Sequence, residues 1–229
     1  MKNYPNVMTE RFDNANFHIN YCLNFFKKHL KGSILEVGAG CGSFTRNYIN
    51  EKIDSIVLTE TDEKNILELK KIFKNNDKIK IIDKKIHHVN QKFDVIIYLH
   101  VLEHIKDDKN EIKEATKKLN KNGLLIIMAP AHQKMYSNLD NAVGHFRRYE
   151  IGFFKKKFES LEITSLIFLD SMGYFLYYLN KFFFKNEVYP SKLKIFIWDK
   201  LFTPLTVIAD FLFRYKIGKC ILAVYKKLD

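Results

Sequence analysis

The stretch Ile34–Phe44, ILEVGAGCGSF, runs from apolar residues into a cluster of small ones, and its reading decides the fold. Ile34, Leu35 and Val37 suit a strand covered on both faces. Gly38, Ala39, Gly40, Cys41 and Gly42 then let backbone come close to a ligand at the strand's carboxyl end, where open α/β sheets bind their ligands. The spacing is not that of a dinucleotide fingerprint, because Ser43 stands where the third small residue belongs and Gly42 comes one place early. The acid expected about twenty residues on, which accepts hydrogen bonds from ribose hydroxyls, is present as Glu60 in VLTETD. Strand, glycine loop, helix, strand and terminal acid in that order imply a ribose-bearing cofactor.

Outward from this unit the alternation repeats. Apolar runs at Ser33–Val37, Ser55–Thr59, Lys78–Ile82, Phe93–Leu99 and Leu124–Ala129 are separated by helix-like or turn-rich segments, the pattern of a parallel sheet with helices on both faces. Asn65–Phe73 and Asp107–Leu119 carry apolar residues at helical spacing, as does a longer amphipathic segment over residues 17–30. A helix is also expected at Gly152–Phe158. A sixth strand fits Glu162–Leu169 and a seventh Lys219–Tyr225, with an aromatic-rich segment between them, residues 170–218, that reads as a helical insertion. The 229 residues suit one domain spanning 1–229.

A composition 47% hydrophobic and 28% charged is that of a globular chain. The N-terminal MKNYPNVMTERFDN lacks the apolar core of a signal peptide, and no window holds the ~18 to 20 uncharged apolar residues of a membrane span, so a cytoplasmic protein is expected. Cys22, Cys41 and Cys220 have no pairing pattern, in keeping with a reducing compartment. The formal charge of +12 fits a polyanionic partner or a solvated lysine coat equally.

ILEVGAGCGSFT, LTETD, FDVIIYLHVLEHIKDD and LNKNGLLIIMAP, in this order between about Gly32 and Pro130, resemble the successive motifs of class I S-adenosylmethionine-dependent methyltransferases. The resemblance implies a Rossmann-like, doubly wound, seven-stranded sheet, mostly parallel with an antiparallel last strand, and S-adenosylmethionine as cofactor. It implies that Glu36, Gly38, Ala39 and Gly40 support the methionine end and that Glu60 holds the ribose. Asp83 would stand near the adenine, with Leu99 and His100 lining the cofactor beside its sulfonium.

After the fifth strand the sequence reads GHFRRY, Gly144–Tyr149, on the rim that carries the glycine loop. This segment and the aromatic insertion resemble a subset of these methyltransferases associated with glycan and lipid-linked sugar assembly. A hydroxyl acceptor needs a base, for which His145 is the first candidate and His100 and His132 are alternatives. Arg147 and Arg148 offer planar forks for an anionic acceptor, or bond structural carboxylates and carbonyls. Tyr149 orients the acceptor or packs beneath the next helix. HVLEH, His100–His104, also satisfies a zinc-protease pattern, but it follows a strand directly and no third ligand is evident, so no metal is expected.

The insertion contains two expected helices, the second capped by Thr203 with Pro204 at its first position. Leu205–Phe213 is apolar on nearly all sides and should be buried as a lid or dipped into a membrane surface, with Lys181, Lys185, Lys192, Lys194, Lys200, Arg214 and Lys216 toward anionic headgroups. The expected activity is methylation, at oxygen rather than nitrogen, of a small or lipid-linked, anionic acceptor by a monomer or homodimer in peripheral membrane contact. The rivals are an RNA methyltransferase and a non-catalytic cofactor-binding partner. An NPPY-like segment is missing after the fourth strand, which argues against nucleic acid, and the histidine and arginines of the rim argue against a scaffold.

Overall fold

The computed structural model describes residues 14–183 and 191–228, with side chains as far as residue 179 in the first span. The apolar runs form β1 (Gly32–Val37), β2 (Ile53–Thr59), β3 (Ile79–Ile82), β4 (Phe93–Leu99), β5 (Leu119–Pro130), β6 (Leu161–Leu169) and β7 (Cys220–Lys227). They make one sheet in the order β3-β2-β1-β4-β5-β7-β6. The pairs among β1 to β5 are parallel, and β7 is antiparallel to both neighbours. This is the doubly wound, Rossmann-like sheet expected.

Successive side chains of a strand point to opposite faces, and here both faces are covered. Leu35, Ile96 and Ile127 enter one apolar core, while Ile34, Ile97 and Ile126 enter the other. The chain runs outward from β1 to β3 and then returns to β4 on the other side of β1, so the carboxyl ends of β1 and β4 flank the point where the winding reverses. Ligands of open α/β sheets bind at such a point.

The helices around the sheet are α1 (Asn16–Leu23), α2 (Thr45–Tyr48), α3 (Glu63–Ile72), α4 (Asp108–Lys117), α5 (Asn138–Ala142) and α6 (Ile151–Lys155). Asp62 caps α3 by accepting from the N–H groups of Lys64 and Asn65, and Asp107 caps α4 through Asn110. Three boundaries differ from the sequence reading. The helix expected over 17–30 stops at Leu23, and the backbone leaves helical geometry so that Phe26 (φ −137°) and Leu30 turn into the core. The helix expected to reach Leu119 stops at Lys117, because β5 already begins at Leu119 and turns through Asn122 at φ +61°. The helix expected at Gly152–Phe158 ends at Lys155, since Lys156 is extended.

The insertion consists of α7 (Ser171–Phe183), α8 (Lys192–Ile197) and α9 (Thr203–Leu212), with a π-helical segment, Trp198–Phe202, joining the last two. Thr203 is not a cap. Its φ of −63° and ψ of −43° are helical, and α8, the π segment and α9 run on as one rod. Pro204 has no N–H for the preceding turn, and the wider π turn lies where that bond is missing.

The rod is inside out. Asp199, Thr203, Thr206 and Asp210 are buried with Ile195, whereas Leu193, Ile197, Leu201, Leu205, Ile208 and Leu212 are 40 to 70% exposed. Polar anchors explain the inward face. Asp199 accepts from the N–H of His18 at 2.9 Å, while Asp210 accepts from the Tyr21 hydroxyl and from the N–H groups of Asp170 and Ser171, both at 2.8 Å. The reading of the insertion as a lid with its apolar residues in the core is therefore overturned for α9. Residues 1–13, Phe184, Lys185 and Tyr189 lie outside the described residues, as do the side chains of Lys181, Phe182 and Phe183.

Asp210→Ala, which leaves two backbone donors and the Tyr21 hydroxyl unpaired, is expected to destabilise the protein by about 3 kcal/mol in denaturant titration. Thr206→Val is the contrasting case. The Thr206 hydroxyl is buried without a hydrogen-bond partner, so its removal is expected to leave stability unchanged or raise it.

Candidate active site

The glycine loop is fastened to its neighbours by backbone. The N–H groups of Gly38 and Ala39 donate to the Thr59 carbonyl at 2.8 and 3.0 Å. Gly38 (φ +67°) and Gly42 (φ +80°) need glycine for conformation and for space. A Cβ on Gly38 would lie 2.8 Å from the Val101 side chain, and one on Gly42 would lie 2.9 Å from the Phe73 ring. Their small size admits protein side chains.

Glu60 reaches back across the crevice. Its Oε2 accepts from the N–H of Gly40 at 2.8 Å, and its Oε1 accepts from the N–H groups of Thr61 and Asp62. The carboxylate is thus aimed at the glycine loop and half-buried, as a group accepting from ribose hydroxyls must be. Beyond it, a cavity of about 350 Å³ is lined by Thr61, Asp83, Lys84, Lys85, His87 and His88, so Asp83 borders open space at the end of β3. Leu99 is buried at the end of β4, followed by His100 at φ +57°.

Glu36 lies beneath the loop. It is buried, and its Oε2 accepts from the hydroxyls of Thr45 and Tyr48, each at 2.6 Å. Burial pushes its pKa up to about 7 against the opposing effect of those two bonds. Its visible duty is to hold α2 against β1.

The rim loop is organised by Asp140, a residue that the sequence reading left unassigned. Its carboxylate accepts from the Ser137 N–H and hydroxyl, from His145 Nδ1 at 2.8 Å, and from Arg148 Nε and NH2 at 2.8 and 3.0 Å. Burial opposes its charge, but the bonds from His145 and Arg148 hold its pKa well below the carboxylate range. Arg147 bonds Asp108 Oδ2 and the Lys106 carbonyl. The expectation of two open forks for an anion is thus not met, because each guanidinium grips a carboxylate of the chain. Arg148 NH1 alone is buried without a partner. Tyr149 is 2% exposed, and its hydroxyl donates to the Leu102 carbonyl or Asp108.

Of the three candidate bases, two meet. The fully buried Glu103 has His100 Nδ1 at 3.6 Å and His145 Nε2 at 3.9 Å from its Oε1, and the His104 ring packs edge-on to that of His145 at 4.6 Å. Burial disfavours the Glu103 charge, yet the surrounding histidines keep its pKa below the usual value. Burial lowers the His104 pKa to about 4. Burial also works against a charged His100, but the nearby Cys220 and Glu103 outweigh it and raise the pKa. His132 is placed elsewhere. Its Nε2 lies 3.0 Å from the Gly218 carbonyl and its ring stacks on Phe168, so it pins the end of the insertion to β5.

Comparison with known proteins gives one family and many solved structures of similar fold. A family model described as a methyltransferase domain matches residues 17–160. No curated protein matches the sequence. The N-methyltransferase NodS from Bradyrhizobium japonicum WM9, in complex with S-adenosyl-L-homocysteine, superposes with a TM-score of 0.62 at 15% identity, over 96% of this chain and 91% of its own. Coclaurine N-methyltransferase bound to N-methylheliamine and S-adenosylhomocysteine gives 0.61 at 14% identity, over 91% of this chain and 72% of its own. The plantazolicin methyltransferase BpumL gives 0.54 at 16% identity, over 99% and 88%.

The raised Glu36 pKa has a stability consequence. An acid with a folded pKa near 7 and an ordinary unfolded value stabilises the fold most at low pH, and that contribution is lost as pH rises to about 7. Glu36→Gln should therefore gain stability relative to the parent between pH 4.5 and 7, by at most about 3 kcal/mol, as read from chemical denaturation at both ends of the window.

Proposed function

The chain belongs to the methyltransferase-domain family, and from that premise we propose that it methylates, at oxygen, an acceptor carrying a lipid-like tail at a membrane surface. S-Adenosylmethionine supplies an electrophilic methyl on a cationic sulfonium, so the protein's tasks are alignment, exclusion of water and proton removal. Glu60 would hold the ribose, Asp83 the adenine side, and Ala39, Gly40, Leu99 and His100 the methionine and sulfonium side. The half-buried Glu60 carboxylate, aimed at the glycine loop, fits that ligand.

Proton removal suits His145. The Asp140 carboxylate can only accept, so the proton sits on Nδ1 and Nε2 keeps its lone pair for an acceptor hydroxyl. Asp140 orients the ring and stabilises the imidazolium that forms. With both arginine forks gripped by carboxylates, the support for the acceptor shifts from anion binding to apolar contact.

The observation that carries the acceptor class is the rod of residues 192–212. It turns polar residues inward and an unbroken apolar stripe outward, a costly arrangement in water and a favourable one against acyl chains. Lys192, Lys200, Arg214 and Lys216 are exposed around it and suit anionic headgroups. Among the described residues no helix is long and apolar enough to cross a membrane, so this contact would lie in the interface plane. Both ends of the insertion leave the sheet at the rim, beside the end of β5, where Pro130 and Leu169 pair with Cys220. A lipid-linked acceptor held by the rod would thereby be presented to the crevice.

Two measurements test this. Calorimetry should give micromolar binding of S-adenosylmethionine and S-adenosylhomocysteine and none of NAD, with Glu60→Gln weakening it about tenfold or more. Co-sedimentation should show binding to vesicles of mixed neutral and anionic lipid, abolished by Ile208→Glu with Phe211→Glu. Indifference to vesicles, or salt-dependent RNA binding in their place, would overturn the lipid assignment.

A further inference from the structure

We propose that Glu103, His104 and His145 form a binding site for a single zinc ion. Glu103 and His104 lie on the short 3-10 turn that follows β4, and His145 lies on the rim loop. The Phe146 N–H donates to the Glu103 carbonyl at 2.8 Å and staples the two segments together. One ligand atom from each residue falls within 4.8 Å of the others.

The carboxylate is open to a coordinating cation. Glu103 is fully buried, and neither of its oxygens has a hydrogen-bond partner. An ionised carboxylate removed from water without hydrogen bonds is among the most costly things a fold can hold, and a coordinated cation repays that cost. The histidines around Glu103 stand just beyond bonding distance, at 3.6 Å for His100 and 3.9 Å for His145. Ligands at ~2.0–2.1 Å from zinc in a tetrahedral set lie about 3.4 Å from one another, so small rotations of these side chains complete the set.

The surroundings of the cluster are those of a metal site. His145 presents Nε2 to Glu103 and gives Nδ1–H to Asp140, the carboxylate–histidine arrangement that fixes the tautomer of a metal ligand. His104 also interacts with the Gly144 backbone. Two imidazoles and one carboxylate are zinc donors, and three protein ligands leave a position open for water or a hydroxyl, whose pKa zinc lowers. That catalytic use rests on the O-methylation reading above and would make His145 a ligand in place of a free base, whereas zinc binding stands without it. HVLEH lacked an evident third ligand in the sequence. The rim loop supplies it.

The test uses the full chain, stripped with a chelator and dialysed against limiting zinc. Elemental analysis is expected to find one zinc per chain, and cobalt substitution to give the visible bands of a tetrahedral site. Glu103→Gln and His145→Ala should each weaken zinc binding more than about 100-fold, while the surface variant His29→Ala should leave it intact. Glu103→Gln is nearly isosteric, and circular dichroism confirms that each variant is folded. Less than a tenth of an equivalent in the parent, or zinc retained in Glu103→Gln, overturns the site. Calorimetry with S-adenosylhomocysteine on the same samples separates the two readings: loss of zinc with retained cofactor binding supports the site, and zinc bound by a parent chain that ignores the cofactor removes the methyltransferase reading alone.

Discussion

A sheet covered on both faces has nowhere inside it for polar chemistry, and this constraint governs the molecule. Ile34, Leu35, Ile96, Ile97, Ile126 and Ile127 are fully buried, divided between two apolar cores. Charged groups can serve only where strands end, and those ends are crowded. Each carboxylate at the rim must therefore be matched as it is buried. Asp140 meets the demand with donors from Ser137, His145 and Arg148, while Asp108 meets it with Arg147 and Tyr149. Glu103 is the exception, with histidine nitrogens at 3.6 and 3.9 Å but no hydrogen bond to either oxygen.

The apolar runs were legible because a strand buried on both faces has no room for alternation. The glycine loop and Glu60 were legible because conformation and ribose chemistry restrict residue type at fixed spacing. The arginines were not. An exposed guanidinium and one clamped on a carboxylate have the same letter, and the partner of Arg147, Asp108, lies on a different loop and element. Asp140 stood at the head of DNAVGHFRRYE with no local pattern to mark it as a hub. The orientation of α9 was equally hidden, since its anchor Asp210 depends on Tyr21 from α1 and on the two backbone donors that open the insertion. Apolar content alone says that a helix seeks cover, not which side finds it.

The glycine loop also changes meaning when seen in three dimensions. Two of its small residues exist to let Val101 and Phe73 approach, so the loop is a packing device as much as a ligand cradle. Val101 leads directly into the turn bearing Glu103 and His104. The floor of the cofactor crevice and the histidine cluster are thus built from one continuous segment, and a shift in either is felt by the other through a contact with no slack.

The place of β7 in the sheet bears on how the chain is made. β7 lies between β5 and β6 and, among the described residues, is the sole sheet partner of β6, yet it follows every other element in sequence. During synthesis the apolar edge of β5 stands open, and β6 has no neighbour, until residues 220–227 have left the ribosome. An unpaired apolar edge is a template for pairing with other chains, so this interval is the most exposed in the life of the molecule. The insertion lengthens it by the time needed to translate some fifty residues, a few seconds at roughly 5–20 residues per second.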